Sequence, residues 1–235
     1  MPTPTPTPPN TALPDNHTRR SRRKEARPGE LLAAALDLFV EKGFAATRVE
    51  EVAQRAGVSK GTLFLYFPSK VELFKAVVRE NISGRFAVWN DEFERFEGST
   101  HDMLRYCLFN WWERLGSTRT SGILKLIMSE AQNFPELASF YQHEVMQPGK
   151  TLIERILRRG VACGEFRPMD FTYGVYLVLA PMLFLALWKH SLGPCCSDHA
   201  QLDPHQYLAA QLDMLMHGFS QPKTLTNLSL EPPLP

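Results

Sequence analysis

An all-α fold is what the sequence predicts, and three observations predict it. Apolar residues return at three- and four-residue spacing from Leu31 to Phe219, cap and stop residues stand where helices so spaced must begin and end, and no strand-like alternation of useful length interrupts them. The 235 residues, 44% hydrophobic and 22% charged, suffice for one or two domains with a buried core and argue against wholesale disorder. The expected organisation is a disordered arm, proline-rich and then basic, over 1–24, a three-helix unit containing a helix-turn-helix over 25–75, a second helical domain over 76–220, and a disordered tail over 221–235.

Taken in order, Met1 to Pro14 repeats Thr-Pro, which removes amide donors and favours extended chain with nothing to pack. Leu31, Leu32, Ala35, Leu38 and Phe39 then mark a first helix, with Pro28 suited to its first turn and Gly43 just past its end. Thr47 and Glu50 form a capping box for a second helix that ends at Gly57. Ser59 caps a short third helix, which Pro68 stops near Tyr66. Ser69 and Glu72 make another capping box, opening a fourth helix through Leu73, Phe74, Val77 and Val78 toward Ile82. Further helices are expected over 103–115, 122–132, 136–146, 150–163, 171–191 and 204–219, separated at Gly98, Pro135, Pro148, the 164–168 stretch and Gly193-Pro194. Gln221 onward is again rich in proline, so regular structure should stop near Phe219.

The second and third helices have the dimensions of a helix-turn-helix, which needs a short helix, a tight glycine turn and a following helix with a free outer face. Val49, Val52, Ala53 and Ala56 make the inward stripe, Gly57 permits the turn, and Leu63 and Phe67 anchor the third helix. Lys60, Gly61, Thr62, Phe64, Leu65 and Tyr66 are left partly or wholly outward. Thr47, Arg48, Thr62 and Lys70 lie at or near helix ends, where hydroxyls, cations and free amides can grip phosphates. Spacing alone fits an ordinary three-helix packing unit equally well.

Charge is distributed unevenly although the net is only +1. Residues 17–80 carry 13 Lys or Arg against 8 Asp or Glu, and residues 81–235 carry 13 against 16. A basic module joined to an acidic one suits nucleic-acid contact by the first. Arg19, Arg20, Arg22, Arg23, Lys24 and Arg27 form a cluster that could follow a phosphate backbone or simply solubilise the chain. Cys107, Cys163, Cys195 and Cys196 have no framework spacing and no secretory leader opens the sequence, so a reduced, cytoplasmic protein is expected. The longest apolar run, Tyr176 to Trp188, contains Pro181 and is too short for a hydrocarbon layer of about 30 Å, so no membrane association is expected.

The run from Leu32 to Phe74 resembles the DNA-binding domain of the TetR (tetracycline-repressor) family. The residues carrying the resemblance are Leu38-Phe39, Gly43-Phe44, Ala46-Thr47, Val52-Ala53, Ala56-Gly57-Val58-Ser59-Lys60-Gly61-Thr62-Leu63, Tyr66-Phe67-Pro68-Ser69-Lys70 and Leu73-Phe74. The resemblance implies a DNA-binding transcriptional regulator, most often a repressor, with DNA approached by Thr47, Arg48, Lys60, Gly61, Thr62, Phe64, Leu65, Tyr66 and Lys70. Leu65 departs from the polar or aromatic residue many members carry there. The resemblance also implies a C-terminal ligand-binding and dimerisation domain, and release of DNA by a small molecule.

A single recognition helix buries too little surface to select one genomic site, so a homodimer on a palindromic double-stranded operator is expected. Its interface is assigned to Val175, Leu179, Met182, Leu183 and Leu187 of one helix and Leu208, Leu212 and Leu215 of another, with burial inside one protomer as the alternative. Trp89, Phe93, Tyr106, Phe109, Trp112, Met128 and Phe140 are candidates to line a pocket for an apolar or aromatic effector, although core packing explains them almost as well. Two other readings remain: a metal-binding helical bundle using Cys195, Cys196, His199 and His205, whose spacing matches no zinc pattern, and a helical protein-interaction module without DNA binding. No phosphate loop, nucleophile elbow or zinc-protease pair is present, so neither catalysis nor a cofactor nor a bound metal is expected.

Overall fold

The computed structural model describes residues 16–195 and 202–219, with side chains from residue 28 onward, and every regular element among them is helical. The first helix, α1 (Asn16–Ala46), begins well before the position expected. Its Arg, Lys, Glu and Ala residues are strong helix formers, and they carry helical backbone through the basic run where an unstructured arm was expected, leaving Pro28 inside the helix. The Thr-Pro leader and the tail after Phe219 lie outside the described residues.

α1 is broken at Gly43, whose φ of 84° and ψ of 169° are open to glycine and costly for other residues. The break swings Phe44 back under the helix. There the rings of Phe39, Phe44 and Phe74 meet with centroids 5.5–5.7 Å apart, Phe74 edge-on to both others. Around this trio pack α2 (Val49–Arg55), α3 (Lys60–Tyr66) and α4 (Lys70–Asn81), contributing the fully buried Val52, Leu63, Leu73, Val77 and Val78. Gly57, with φ 66°, makes the tight turn between α2 and α3.

Beyond α4 the chain forms α5 (Phe86–Glu94), α6 (Thr100–Trp111), α7 (Gly122–Glu130), α8 (Pro135–Tyr141), α9 (Gln147–Ala162), α10 (Phe171–His190) and α11 (Pro204–Phe219). α5 escapes sequence reading because Arg85 at its start has helical backbone and offers no capping bond. α6 runs on through a π turn over Trp112–Gly116. A second π turn, Gln142–Met146, joins α8 to α9 without a gap, so Pro148 stands in the first turn of α9 rather than between two helices. The wider π register directly before Pro148 accommodates its missing amide.

Two cores result. The first unites α1–α4 with Ile123, Leu126 and Ile127 of α7 and Leu137 and Tyr141 of α8, and Phe134 meets Phe44 edge-on at 4.8 Å. The second is built by Leu104 and Leu108 of α6, Ile156 and Leu157 of α9, Val178 of α10 and Leu208 of α11. By length and composition α10 could cross a bilayer, contrary to the expectation drawn from Tyr176–Trp188 alone. In the structure its inner face is core, with Val175, Val178, Met182 and Leu185 each 2% exposed or less.

Candidate nucleic-acid interface, cavity and pairing face

The turn leading into α2 is held by two side chains that the sequence placed at a DNA surface. Thr47 is only 2% exposed, and its hydroxyl points back to the carbonyls of Gly43, at 2.7 Å, and Leu38, at 3.1 Å. With Thr47 turned inward, the α2 cap falls one residue later, where the Glu51 carboxylate accepts from the Arg48 amide at 3.4 Å. Lys70 is likewise committed. Its ammonium donates to the carbonyls of Phe44 (2.8 Å), Thr47 (3.0 Å) and Ala45 (3.2 Å) and lies 4.5 Å from the centre of the Phe44 ring, and partial burial lowers its pKa. Both side chains are thus engaged with backbone carbonyls of this same chain.

Removing the ammonium while keeping the stem, as in Lys70→Met, leaves three carbonyls without their donor. The expected cost is about 1–3 kcal/mol, read from urea melts. An unchanged midpoint would show that this cage contributes nothing.

α3 presents the free surface. Ser59 caps it, accepting from the Thr62 amide at 3.1 Å and pairing with the Thr62 hydroxyl at 2.9 Å. Leu63 anchors it at 0% exposure, while Leu65 stands 85% exposed and Phe64 38% exposed on the opposite side. Gly61 is exposed, and Thr62 and Tyr66 are half-buried at the margins. Arg48 is exposed at the start of α2. Lys60 pairs with Glu50 of α2 at 2.5 Å, which holds the Glu50 carboxyl below its ordinary range, and lies 5.7 Å over the Phe64 ring. α2 is also tied to the second domain. Arg55 grips Glu41 with two bonds of 3.0 and 3.2 Å, and Arg119 reaches the same carboxylate at 2.5 Å and Asp37 at 3.0 Å.

Next to Arg119, Thr120 and Ser121 border a cavity of about 140 Å³. Of the seven candidates for such a pocket, Trp89, Phe93 and Tyr106 line it. The other four do not. Phe109 stacks on His205 at 6.0 Å, Trp112 packs in the core beneath Lys189, Phe140 lies under Arg79 of α4, and Met128 is 62% exposed. Sequence reading missed Phe86, Leu124 and Tyr141, because the wall is assembled from helices distant in sequence. Of the candidate metal ligands, His205 pairs with Glu113 at 3.1 Å, whereas Cys196 and His199 lie outside the described residues.

The residues expected to pair two protomers mostly face inward. Val175, Met182, Leu208, Leu212 and Leu215 are buried in the second core, and Leu179, Met182 and Leu183 line the cavity. Leu187 is half-buried. α10 is apolar around its whole circumference, so spacing could not say which side faces out. The outer side carries Tyr173 (70% exposed), Leu177 (60%) and Phe184 (46%), and Met214 of α11 (73%) stands beside them. In the groove between the two helices lies Gln211, whose amide nitrogen donates to Val178 at 2.7 Å and whose carbonyl oxygen is buried with no partner among the described residues.

A helix-turn-helix head with an outward third helix, fused to a helical domain that encloses a cavity, defines this chain as a protein of the helix-turn-helix regulator class. Residues 31–77 match the model of bacterial regulatory proteins of the tetR family, and residues 97–194 match a tetracyclin repressor-like C-terminal domain. The chain belongs to the TetR family. The regulator RutR of Escherichia coli strain K12 is 50% identical over 62 residues, 26% of this chain and only 29% of RutR. The repressor KstR2 of Mycobacterium tuberculosis strain H37Rv is 26% identical over 189 residues, covering 80% of this chain and 92% of KstR2. In fold, the chain resembles the regulator FadR of Bacillus subtilis, solved with stearoyl-CoA, at a TM-score of 0.60 and 16% identity over 81% of this chain and 98% of that one.

Proposed function

We propose that this protein is a DNA-binding transcriptional regulator, acting as a repressor, that grips a palindromic operator as a homodimer and is released by a small molecule held in the cavity. The observation that carries this reading is α3, fixed from below by a fully buried Leu63 while Leu65 and Phe64 project from the other side. An α-helix of this size fits the major groove, where an apolar side chain such as Leu65 can meet a thymine methyl. Lys60 and Arg48, exposed at the starts of α3 and α2, are cations of the kind that contact phosphates. RutR, KstR2 and FadR all carry regulator names, which supports the same reading. The stearoyl-CoA bound to FadR, a long acyl chain on a charged nucleotide head, supports an effector for the helical domain.

The outward faces of α10 and α11 supply the pairing surface in this reading. Tyr173, Leu177, Phe184 and Met214 form an apolar patch of the sort that marks a protein interface. The Gln211 oxygen in the adjoining groove is an acceptor that a second protomer can satisfy. Ligand and DNA are linked through the Thr120 segment, where Arg119 joins the cavity wall to Glu41 and thence to Arg55 of α2.

Enrichment of random oligonucleotides at low salt tests the function. The expected outcome is a palindromic sequence whose half-sites repeat at about one helical turn, and Leu65→Glu is expected to abolish the enrichment without lowering the melting temperature. Enrichment that yields no preferred sequence overturns the reading.

A further inference from the structure

The cavity has a chemical selectivity written into its wall. Its apolar part is contributed by aromatic and aliphatic side chains, among them Phe86, Trp89, Phe93 and Leu124. The charge on its wall is already answered. Glu92 is bound by Arg114 at 2.5 Å, and the same guanidinium reaches the Tyr106 hydroxyl at 3.5 Å. Cys107, which also lines the cavity, is held as the neutral thiol by burial, its pKa pushed up to about 12. Just behind the wall, Lys189 donates to the carbonyls of Gly116, Ser117 and Thr118. His190 bonds Ser121 at 2.8 Å and is held neutral, its pKa brought down to about 4 by burial.

An anion entering this space would meet Glu92, and no Lys, Arg or His stands among the described lining residues to receive it. A cation would have to displace Arg114. Desolvating either without a new partner costs several kcal/mol. Two hydroxyls on the wall are different. Tyr141 and Thr120 line the cavity at 6% and 7% exposure, and neither hydroxyl is among the sealed, unpartnered atoms of the described residues, so each is open to the cavity rather than to the packed core. Ser121, beside Thr120, is by contrast saturated, its hydroxyl engaged with Gly116, Thr118 and His190. A hydroxyl that faces an apolar cavity can donate to whatever enters it, so a ligand that supplies an acceptor gains affinity there.

We propose that the cavity admits an uncharged, predominantly apolar molecule whose single oxygen accepts a hydrogen bond from Tyr141, with Thr120 as the second available hydroxyl. This rests on the reading of the cavity as the effector site and narrows it to neutral ketones, esters or alcohols over carboxylates and amines.

Three probes of equal length, 2-nonanone, nonanoate and nonylammonium, separate the possibilities when titrated into full-length protein at pH 7 and followed by tryptophan fluorescence and calorimetry. The expected order places 2-nonanone at least tenfold tighter than either ion. Tyr141→Phe, which keeps the ring and loses only the oxygen, is expected to erase most of that advantage while the melting temperature holds. Tighter or equal binding of nonanoate or nonylammonium overturns the proposal, as does binding of none of the three, or an unchanged 2-nonanone affinity in Tyr141→Phe. Should that substitution unfold the protein, Thr120→Val together with the three-probe comparison on the unaltered chain still decides. Operator binding measured without any probe reports separately on the DNA-binding reading, so the two can fail independently.

Discussion

Leu177→Glu combined with Phe184→Glu is expected to leave a folded monomer whose affinity for operator DNA has fallen at least a hundredfold. Both side chains point away from the protomer's own core, so the carboxylates remain solvated in the isolated chain and the fold is undisturbed. In a pair they would be brought against apolar groups of the mate and stripped of water, which an interface tolerates poorly. Operator affinity falls with pairing because one recognition helix contacts only one half-site. Sedimentation gives the mass, circular dichroism the helix content and a gel-shift titration the affinity. A double variant that still sediments as a dimer removes this face from consideration. The contrast is Met182→Ala, which sits on the same helix but inside the core, and which is expected to lower stability and leave pairing intact.

Phe74→Ala is expected to cost about 3–5 kcal/mol, enough to bring a domain of ordinary stability close to unfolding at 37 °C. Phe74 is completely buried and sits edge-on to both Phe39 and Phe44, so its loss opens a hole at the point where three chain segments converge. Urea melts of the variant measure the cost, and a loss below 1 kcal/mol would show that the neighbours collapse into the space. Phe74→Leu is the control, since it retains most of the volume and should recover much of the loss.

How much of this was legible beforehand depends on whether the cause was local. Ser59 and Ser69 cap α3 and α4 as their spacing promised, because a cap needs only the three residues that follow it. The carbonyl cage around Lys70 was not legible because its three partners lie 23 to 26 residues upstream, brought near only by the break at Gly43. Thr47 was misread for a related reason: its hydroxyl turns back to α1 instead of capping α2. The outward residues of α3 were legible because Leu63 alone can reach the core from so short a helix. The cavity was half legible: aromatic composition pointed to the region, yet only the folded arrangement separates Trp89 and Phe93, which line it, from Phe109, which covers His205. α10 was the hardest case, since a helix greasy on every side gives no hint of which side meets its own chain.

Phe134 pressed against Phe44 means that no slack joint lies behind the reading head. One continuous oily body runs from α1 into α7 and α8, so bending the neck after Asn81 would tear it open. If two such protomers pair as proposed, the distance between their heads would change as shears open, by whole blades turning about the rivet at Leu177 and Phe184.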